Sequence, residues 1–267
     1  MLFQYKQPHR PGKTASMIIK EVSIVRYNHG RPERRPDRVI CENWLSLYLN
    51  GTLLREIPVT NRDIPDLVTG ILCTEGYLKS KELPQIMLEG SICRVSLEGN
   101  IQVKTQRDLV DCASTRVELD ENIQPLRQGS PRTADDILSL VAEFQKIPSV
   151  YHETGGVHMA AFAQDQIEYW ADDISRRNAV DKVIGKGYSG HVDFYQGLII
   201  TSGRISSDLI LRMVHMGIPM IVSISAPTDR ALFLAESYGV TVCGFARGLR
   251  MNIYTHEERV DTVSKGH

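Results

Sequence analysis

The stretch Gly197-Leu198-Ile199-Ile200-Thr201-Ser202-Gly203-Arg204, continuing through residues 207–216 to Gly217-Ile218-Pro219-Met220-Ile221-Val222-Ser223-Ile224, decides the fold class. Short apolar runs at 197–202, 219–224 and 240–245 alternate with two segments of helical period. In residues 207–216, Leu209, Ile210, Met213 and Val214 share one face and Gly217 stops the helix. In residues 228–238 the same role falls to Gly239. Each glycine leads straight into the next apolar run. Strand, helix, strand, helix, strand at this spacing predicts an α/β fold, a mixed sheet flanked by helices.

Toward the N-terminus the pattern continues. Residues 157–163 and 167–170 flank Gln164-Asp165-Gln166 and read as a hairpin, and residues 178–184 as a short helix. Thr133 reads as an N-cap with Asp136 at N3, opening a helix whose face is Ile137, Leu140, Val141 and Phe144 and which ends near Pro148. Further back, residues 44–49 and 52–54 enclose Asn50-Gly51, a pair that tolerates the positive φ of a tight hairpin turn. Asp63-Ile64-Pro65-Asp66 then opens a helix with Ile64, Leu67, Val68, Ile71 and Leu72 on one face, closed by Gly76. Strands at 86–88, 93–97 and 101–104 complete a small α+β unit. Residues 105–132 have no sustained period, and a long irregular stretch of that kind is functional or disordered. The expected organisation is an irregular arm at 1–40, a small α+β domain at 41–132 with a mobile loop carrying Cys112, and an α/β domain at 133–267.

Bulk properties narrow the function. In 267 residues, 42% hydrophobic and 24% charged, the chain can bury a sizeable core. A formal net charge of −1 gives no global attraction to nucleic acid or to an anionic membrane, so any anionic ligand must be held by a local cluster of donors. No apolar run is long enough for a signal peptide or a membrane span. Five scattered cysteines without a CxxC pair argue against a disulfide framework and a cysteine-rich zinc site, and point to a reducing cytoplasm.

Four features carry chemistry. Thr154-Gly155-Gly156-Val157-His158-Met159-Ala160-Ala161 pairs glycines that allow close approach with a histidine at a strand entry; a tight turn beside a hydrogen-bonded core histidine is the plainer reading. A deaminase-type zinc site would need His-x-Glu and Pro-Cys-x-x-Cys, but position 160 is alanine and no CxxC exists. Asp172-Asp173-Ile174-Ser175-Arg176-Arg177-Asn178 surrounds a helix start whose free N–H groups suit a phosphate, with capping and surface ion pairs as the competing explanation. The turns Thr201-Ser202-Gly203-Arg204, Ser225-Ala226-Pro227-Thr228 and residues 244–250 each follow a strand's carboxyl end, the edge where open α/β sheets bind ligands. Two of the three carry arginine, suited to gripping phosphate. Finally, Cys41, Cys73, Cys93 and Cys243 lie in strand or helix patterns and read as inert, whereas Cys112 stands in a polar loop. There Asp111 would raise its pKa, and Arg107 and Arg116 would lower it.

These motifs, in this order, resemble the formate dehydrogenase accessory sulfurtransferase (FdhD) family over roughly residues 40–258. The marks are Thr154-Gly155-x-x-His158-x-Ala160-Ala161, Arg176-x-Asn178-Ala179-Val180-Asp181-Lys182 and Ser202-Gly203-Arg204. They continue with Ser225-Ala226-Pro227-Thr228, residues 244–250, Ile253-Tyr254-Thr255-His256 and Leu67-x-x-Gly70-x-Leu72-x-x-Glu75-Gly76. The resemblance implies a cytidine deaminase-like fold without its zinc, with cofactor binding in the 133–267 part. It implies a cytoplasmic homodimeric sulfur carrier with no nucleic-acid or membrane partner. Such a carrier takes sulfur from a cysteine desulfurase as a persulfide and passes it to the bis-molybdopterin guanine dinucleotide cofactor for formate dehydrogenase. On that likeness Cys112 is the catalytic residue, and Phe245, Ala246, Arg247, Gly248, Leu249 and Arg250 bind the cofactor. Two departures stand out. The family loop reads Cys-x-x-Cys where this chain has Asp111-Cys112-Ala113-Ser114, and the family's Gly-Arg-His-Asn is here Ser175-Arg176-Arg177-Asn178. A non-catalytic chaperone that keeps the cofactor site and has lost transfer chemistry is the competing expectation.

Overall fold

The computed structural model describes residues 18–78, 83–99, 101, 125–126 and 131–262. It opens with two ten-residue strands, β1 (Ile19–Asn28) and β2 (Arg31–Ile40), paired antiparallel across a His29-Gly30 turn. Residues 19–40 are therefore a ribbon rather than the expected irregular arm. Its second strand, Arg-Pro-Glu-Arg-Arg-Pro-Asp-Arg-Val-Ile, carries no apolar alternation, which hid it. Pro32 and Pro36 sit four residues apart on an edge strand, where a missing outward N–H breaks no ladder bond.

The hairpin expected at Asn50-Gly51 is β3 (Asn43–Leu49) and β4 (Thr52–Val59), with both turn residues at positive φ. Next comes α1 (Ile64–Thr74). Gly76 ends it at φ 74°, with the Gly76 N–H donating to the Cys73 carbonyl at 3.1 Å and the Tyr77 N–H to the Leu72 carbonyl at 2.9 Å. β5 (Gln85–Glu89) and β6 (Ile92–Ser96) complete a four-stranded sheet in the order β4-β3-β6-β5. Leu45, Leu47 and Leu49 of this sheet bury against Leu67, Val68 and Ile71 of α1. Of the strand expected at 101–104 only Ile101 is described, outside any strand. Most of the irregular stretch 105–132, with Cys112, lies outside the described residues.

The second sheet follows from β7 (Arg132–Thr133) and α2 (Ala134–Lys146), which starts where the cap predicts: Thr133 Oγ1 accepts from the Asp136 N–H at 3.1 Å. After α3 (Val150–Thr154) come β8 (His158–Ala163), β9 (Ile167–Asp173) and α4 (Arg176–Ser189). The alternating stretch then gives β10 (Leu198–Thr201), α5 (Ser207–Met216), β11 (Met220–Ser223), α6 (Asp229–Tyr238) and β12 (Thr241–Arg247). β13 (Arg250–Thr255) and β14 (Val260–Asp261) close the chain. Six strands lie in the order β13-β12-β11-β10-β8-β9, mixed as expected, with β10, β11 and β12 parallel. Alternation decides the layers. Ala160, Phe162, Ile199, Ile221 and Val242 bury against α4, α5 and α6 on one face, and Met159, Ala161, Ile200, Val222 and Cys243 against α2 on the other. Among the described residues no helix is long and apolar enough to cross a membrane.

α4 runs through Gly185 and Gly187 to Ser189, well beyond the short helix expected at 178–184. Those glycines read locally as helix breakers, but their cost is offset by packing. A methyl group at Gly185 would lie 1.9 Å from the Asp66 carbonyl oxygen of α1, and one at Gly70 would lie 1.8 Å from that of Asp181 in α4. Each helix thus supplies the glycine that admits the other's backbone. We expect Gly70→Ala and Gly185→Ala each to lower stability by about 1–3 kcal/mol or more through overpacking. A urea midpoint equal to wild type for either variant would refute this crossing as a tight constraint.

Candidate functional site at the sheet edge

The carboxyl ends of β10, β11 and β12 meet the start of β8, the end of β9 and the N-termini of α4 and α5 along one edge of the six-stranded sheet. The turns there are stitched together. The Gly203 N–H donates to Thr201 Oγ1 at 3.2 Å, and Ser223 Oγ donates to the Gly203 carbonyl at 2.7 Å. The Ile205 N–H donates to the Ala226 carbonyl at 3.0 Å, and the Thr228 N–H returns to the Ile205 carbonyl at 2.9 Å. The Phe245 N–H donates to the Ser225 carbonyl at 2.9 Å, tying the end of β12 into the same web.

Residues 245–250 differ in form from the expected turn beyond a strand. β12 runs on to Arg247, and Arg250 pairs with it as the first residue of β13, so the stretch is the tip of a hairpin. One extra residue between Gly244 and Arg247 makes a bulge, with Phe245 at φ 53°. The bulge turns the Phe245 ring outward, 37% exposed, while Ala246 stays buried. Arg247, Gly248 and Arg250 are exposed and Leu249 is 97% so.

Nearer β8, His158 and Arg176 close around Gly203. A methyl group there would lie 2.9 Å from Arg176 Cβ and 3.4 Å from His158 Nδ1. His158 Nδ1 is 3.5 Å from Ser202 Oγ, which itself accepts from the Met159 N–H at 2.9 Å. Burial, with the charges of Arg176 and Arg204, holds the His158 imidazole below its ordinary range and so neutral at pH 7. Arg177 turns instead toward Asp208, 3.5 Å away.

Behind this edge lies a buried charge node that local reading of the sequence did not find. The Lys182 ammonium, fully buried, lies 2.7 Å from Asp173 Oδ2 and donates to Thr60 Oγ1 at 2.9 Å and the Asp172 carbonyl at 3.1 Å. Asp173 also accepts from the Thr60 N–H, the Ser175 N–H and Asn178 Nδ2, so both its oxygens are satisfied. Asn178 reaches the Pro58 carbonyl at 2.9 Å, and Arg212 grips Asp181 through Nε at 2.8 Å and Nη2 at 3.0 Å. Asn178, Asp181 and Lys182 of the 176–182 motif are therefore structural, whereas Arg176 alone faces Gly203. Thr60 carries no signal of this role in its own neighbourhood, since its partners are more than a hundred residues away.

The architecture is that of a mixed α/β protein with a basic, rigidly held sheet edge. The FdhD/NarQ family model matches residues 40–261. The chain is 34% identical over 257 residues to the sulfur carrier protein FdhD of Wolinella succinogenes, covering 91% of this chain and 90% of that one. With the sulfur carrier protein FdhD of Methanothermobacter thermautotrophicus it shares 32% over 248 residues, covering 91% and 99%. A crystal structure described as that of a formate dehydrogenase accessory protein from Desulfotalea psychrophila superposes with a TM-score of 0.75 at 23% identity, covering 91% of this chain and 100% of the other; at that identity it speaks to the fold. The chain belongs to the FdhD/NarQ family.

Lys182→Met leaves Asp173 buried without its cation, and we expect it to cost about 3–5 kcal/mol of stability. Adding Asp173→Asn should recover part of that loss. Denaturant titrations of the three proteins test it, and a double variant no more stable than Lys182→Met alone would contradict the pairing.

Proposed function

We propose that the chain is a sulfur carrier that serves formate dehydrogenase, taking sulfur as a persulfide on Cys112 and passing it to the bis-molybdopterin guanine dinucleotide cofactor. Membership of the FdhD/NarQ family across residues 40–261, with relatives named sulfur carrier proteins, is the observation that carries this reading. The donor is a cysteine desulfurase, and the same likeness has the carrier act as a cytoplasmic homodimer. In the loading step the Cys112 thiolate attacks the outer sulfur of the donor's persulfide. The donor's S–S bond breaks, its cysteine leaves as thiolate, and Cys112 becomes the persulfide.

The other cysteines support that choice. Cys73, Cys93 and Cys243 are buried, and burial pushes their thiols up to about 12, 11 and 12, far from thiolate at neutral pH. Cys41 is half-buried in the two-residue link between β2 and β3 rather than inside a strand, so it is the described cysteine that needs a control. Cys112 lies outside the described residues. For the cargo, the outward Phe245 ring offers a stacking face for guanine, and Arg247 and Arg250 offer donors for phosphate. Gly248 and Leu249 form the exposed tip, and the buried Ala246 contributes backbone only.

Incubation with a cysteine desulfurase and cysteine, followed by peptide mass spectrometry, should find one added sulfur on Cys112. Cys112→Ser should abolish it and formate dehydrogenase maturation, while Cys41→Ser should preserve both. Sulfur on Cys41 instead, or full maturation by Cys112→Ser, would overturn the assignment.

A second expectation concerns the cargo. Arg247→Ala/Arg250→Ala should weaken guanosine diphosphate binding by roughly ten- to hundredfold, the loss of one charge-assisted contact of about 1.5–3 kcal/mol. Calorimetry measures it, and unchanged affinity would move cargo binding away from the hairpin tip. The Cys112 persulfide should form normally in that variant.

A further inference from the structure

We infer that the β1–β2 ribbon is a docking arm that takes an extended, acidic segment of a partner protein as a third strand along β1. The role stands apart from the sulfur chemistry proposed above and uses none of its residues.

The ribbon is held at its base and free beyond it. Ile40 sits against the glycines that follow α3, where a methyl group at Gly156 would lie 2.8 Å from Ile40 Cγ2. Arg38 forms an ion pair with Glu153 of α3. The Thr154-Gly155-Gly156 stretch thereby serves as the mount of the arm. Residues 25–36, by contrast, are all exposed, Val25 by 54% and Tyr27 by 74%. A two-stranded ribbon is marginal in water on its own, and a third strand is one way to complete it.

Its two edges differ in what they offer. The closing pair Asn28–Arg31 flanks a two-residue turn, with His29 and Gly30 both at positive φ, so its N–H and C=O groups point inward. At the base the Cys41 N–H donates to the Ile18 carbonyl at 2.8 Å, in the same phase. Alternation between these ends sends the N–H groups of Ile19, Glu21, Ser23, Val25 and Tyr27 outward from β1. On β2 the outward positions include Pro32 and Pro36, which have no N–H to give. β2 is thus blocked against strand addition. β1 carries no such block and has no second neighbour among the described residues.

Charge selects the occupant. Residues 19–40 hold six Lys or Arg and three Asp or Glu, a net charge of +3 on a chain whose total is −1. Arg38 has Glu153, but Arg34 and Arg35 stand opposite Val25 and Ile24 in the register, with no carboxylate across from either. A strand added to β1 would lie about 4.8 Å from it and roughly 9.6 Å from β2, close enough for the arginines of β2 to act on it. Carboxylates on that strand would offset the excess, and Val25 and Tyr27 offer apolar neighbours to its alternate residues. A second copy of the chain would bring the same +3 to the same edge, which opposes self-pairing.

Fluorescence anisotropy should be measured with three labelled peptides: one alternating glutamate and valine, its lysine-for-glutamate counterpart, and the acidic peptide N-methylated at every peptide bond. The proteins are wild type, Val25→Pro, which loses only an outward N–H, and Arg34→Glu/Arg35→Glu. Hydrogen exchange of wild type with and without the acidic peptide reads the same edge. We expect the acidic peptide to bind wild type and to protect the amides of Glu21, Ser23 and Val25. Affinity should fall roughly tenfold or more for the lysine peptide, for the N-methylated peptide and in both variants. The N-methylated peptide tests the edge on unaltered protein, so the result does not hang on the folding of Val25→Pro. No binding of the acidic peptide at about 1 mM overturns the docking arm. Equal binding of the N-methylated peptide overturns strand addition, and equal binding of the lysine peptide overturns selection by charge. Protection of the same amides in the free protein, rising with protein concentration, would give the edge to a second copy and overturn the acidic partner.

Discussion

Two backbones touch where α1 crosses α4, and most of the molecule's geometry follows from that contact. With Gly70 against the Asp181 carbonyl and Gly185 against that of Asp66, no side chain separates the helices at their closest point. Their relative position is therefore set by main chain, which cannot change rotamer. This fixes α4 against the four-stranded sheet, because α1 is that sheet's covering helix. It also brings the end of β4, at Thr60, against the end of β9, at Asp173. Only at such close range can one buried ammonium, Lys182, serve acceptors on both sheets at once. A buried charge pair is weak evidence of net stability, since desolvation offsets much of its attraction. Burial indeed pushes the Lys182 ammonium down against the pull of Asp173. What the node does supply is specificity: a misplaced sheet would strand a charge in the core.

That node has a consequence for the sheet edge. Asp173 stands directly across from His158 in the β8–β9 register and would neutralise nearby arginines if it were free. Its commitment to Lys182, Thr60, Ser175 and Asn178 removes it from the edge's electrostatics. Arg176 is thereby left beside a neutral imidazole rather than a carboxylate. The inner residues of the 176–182 motif make the scaffold rigid, and its first residue projects onto the face that the scaffold presents.

The second half was legible because its periods are clean. Gly217 and Gly239 stop helices, both take left-handed φ, and the parallel order β10-β11-β12 follows from them. Thr133 capped where its residue type and the Asp136 position indicated. Reading failed where long-range packing overrules local preference. Gly185 and Gly187 look like an ending, yet α4 continues because α1 and Phe194 fill the space a side chain would have taken. The charged, proline-bearing β2 looks unstructured, yet it pairs along its whole length with β1. Residues 245–250 read as a turn beyond a strand rather than as a hairpin tip, because a bulge is a property of the pairing rather than of one strand. The buried node was out of reach for a related reason: Thr60 and Asp173 meet only after both sheets have formed.

Overall charge and local charge point to how such an edge must work. The chain's net charge is −1, so it presents no broad field to steer an anionic cargo from a distance. At physiological ionic strength the influence of Arg204 or Arg250 fades over roughly 8 Å of solvent. Recognition of the proposed nucleotide cargo would then depend on contact, with several donors meeting several oxygens at short range. Contact recognition rewards donors that need not be ordered on binding, because each side chain immobilised late costs about 0.5–1.5 kcal/mol. The stitched turns at 201–205 and 223–228 and the tethered Phe245 backbone meet that requirement, and Arg176 is half-buried against Gly203. Arg204, Arg247 and Arg250 remain exposed on fixed backbone, which leaves adaptability at the side-chain ends alone. A rigid edge with mobile tips suits the proposed carrier role, in which a cargo would be held firmly enough to be acted on and still be released.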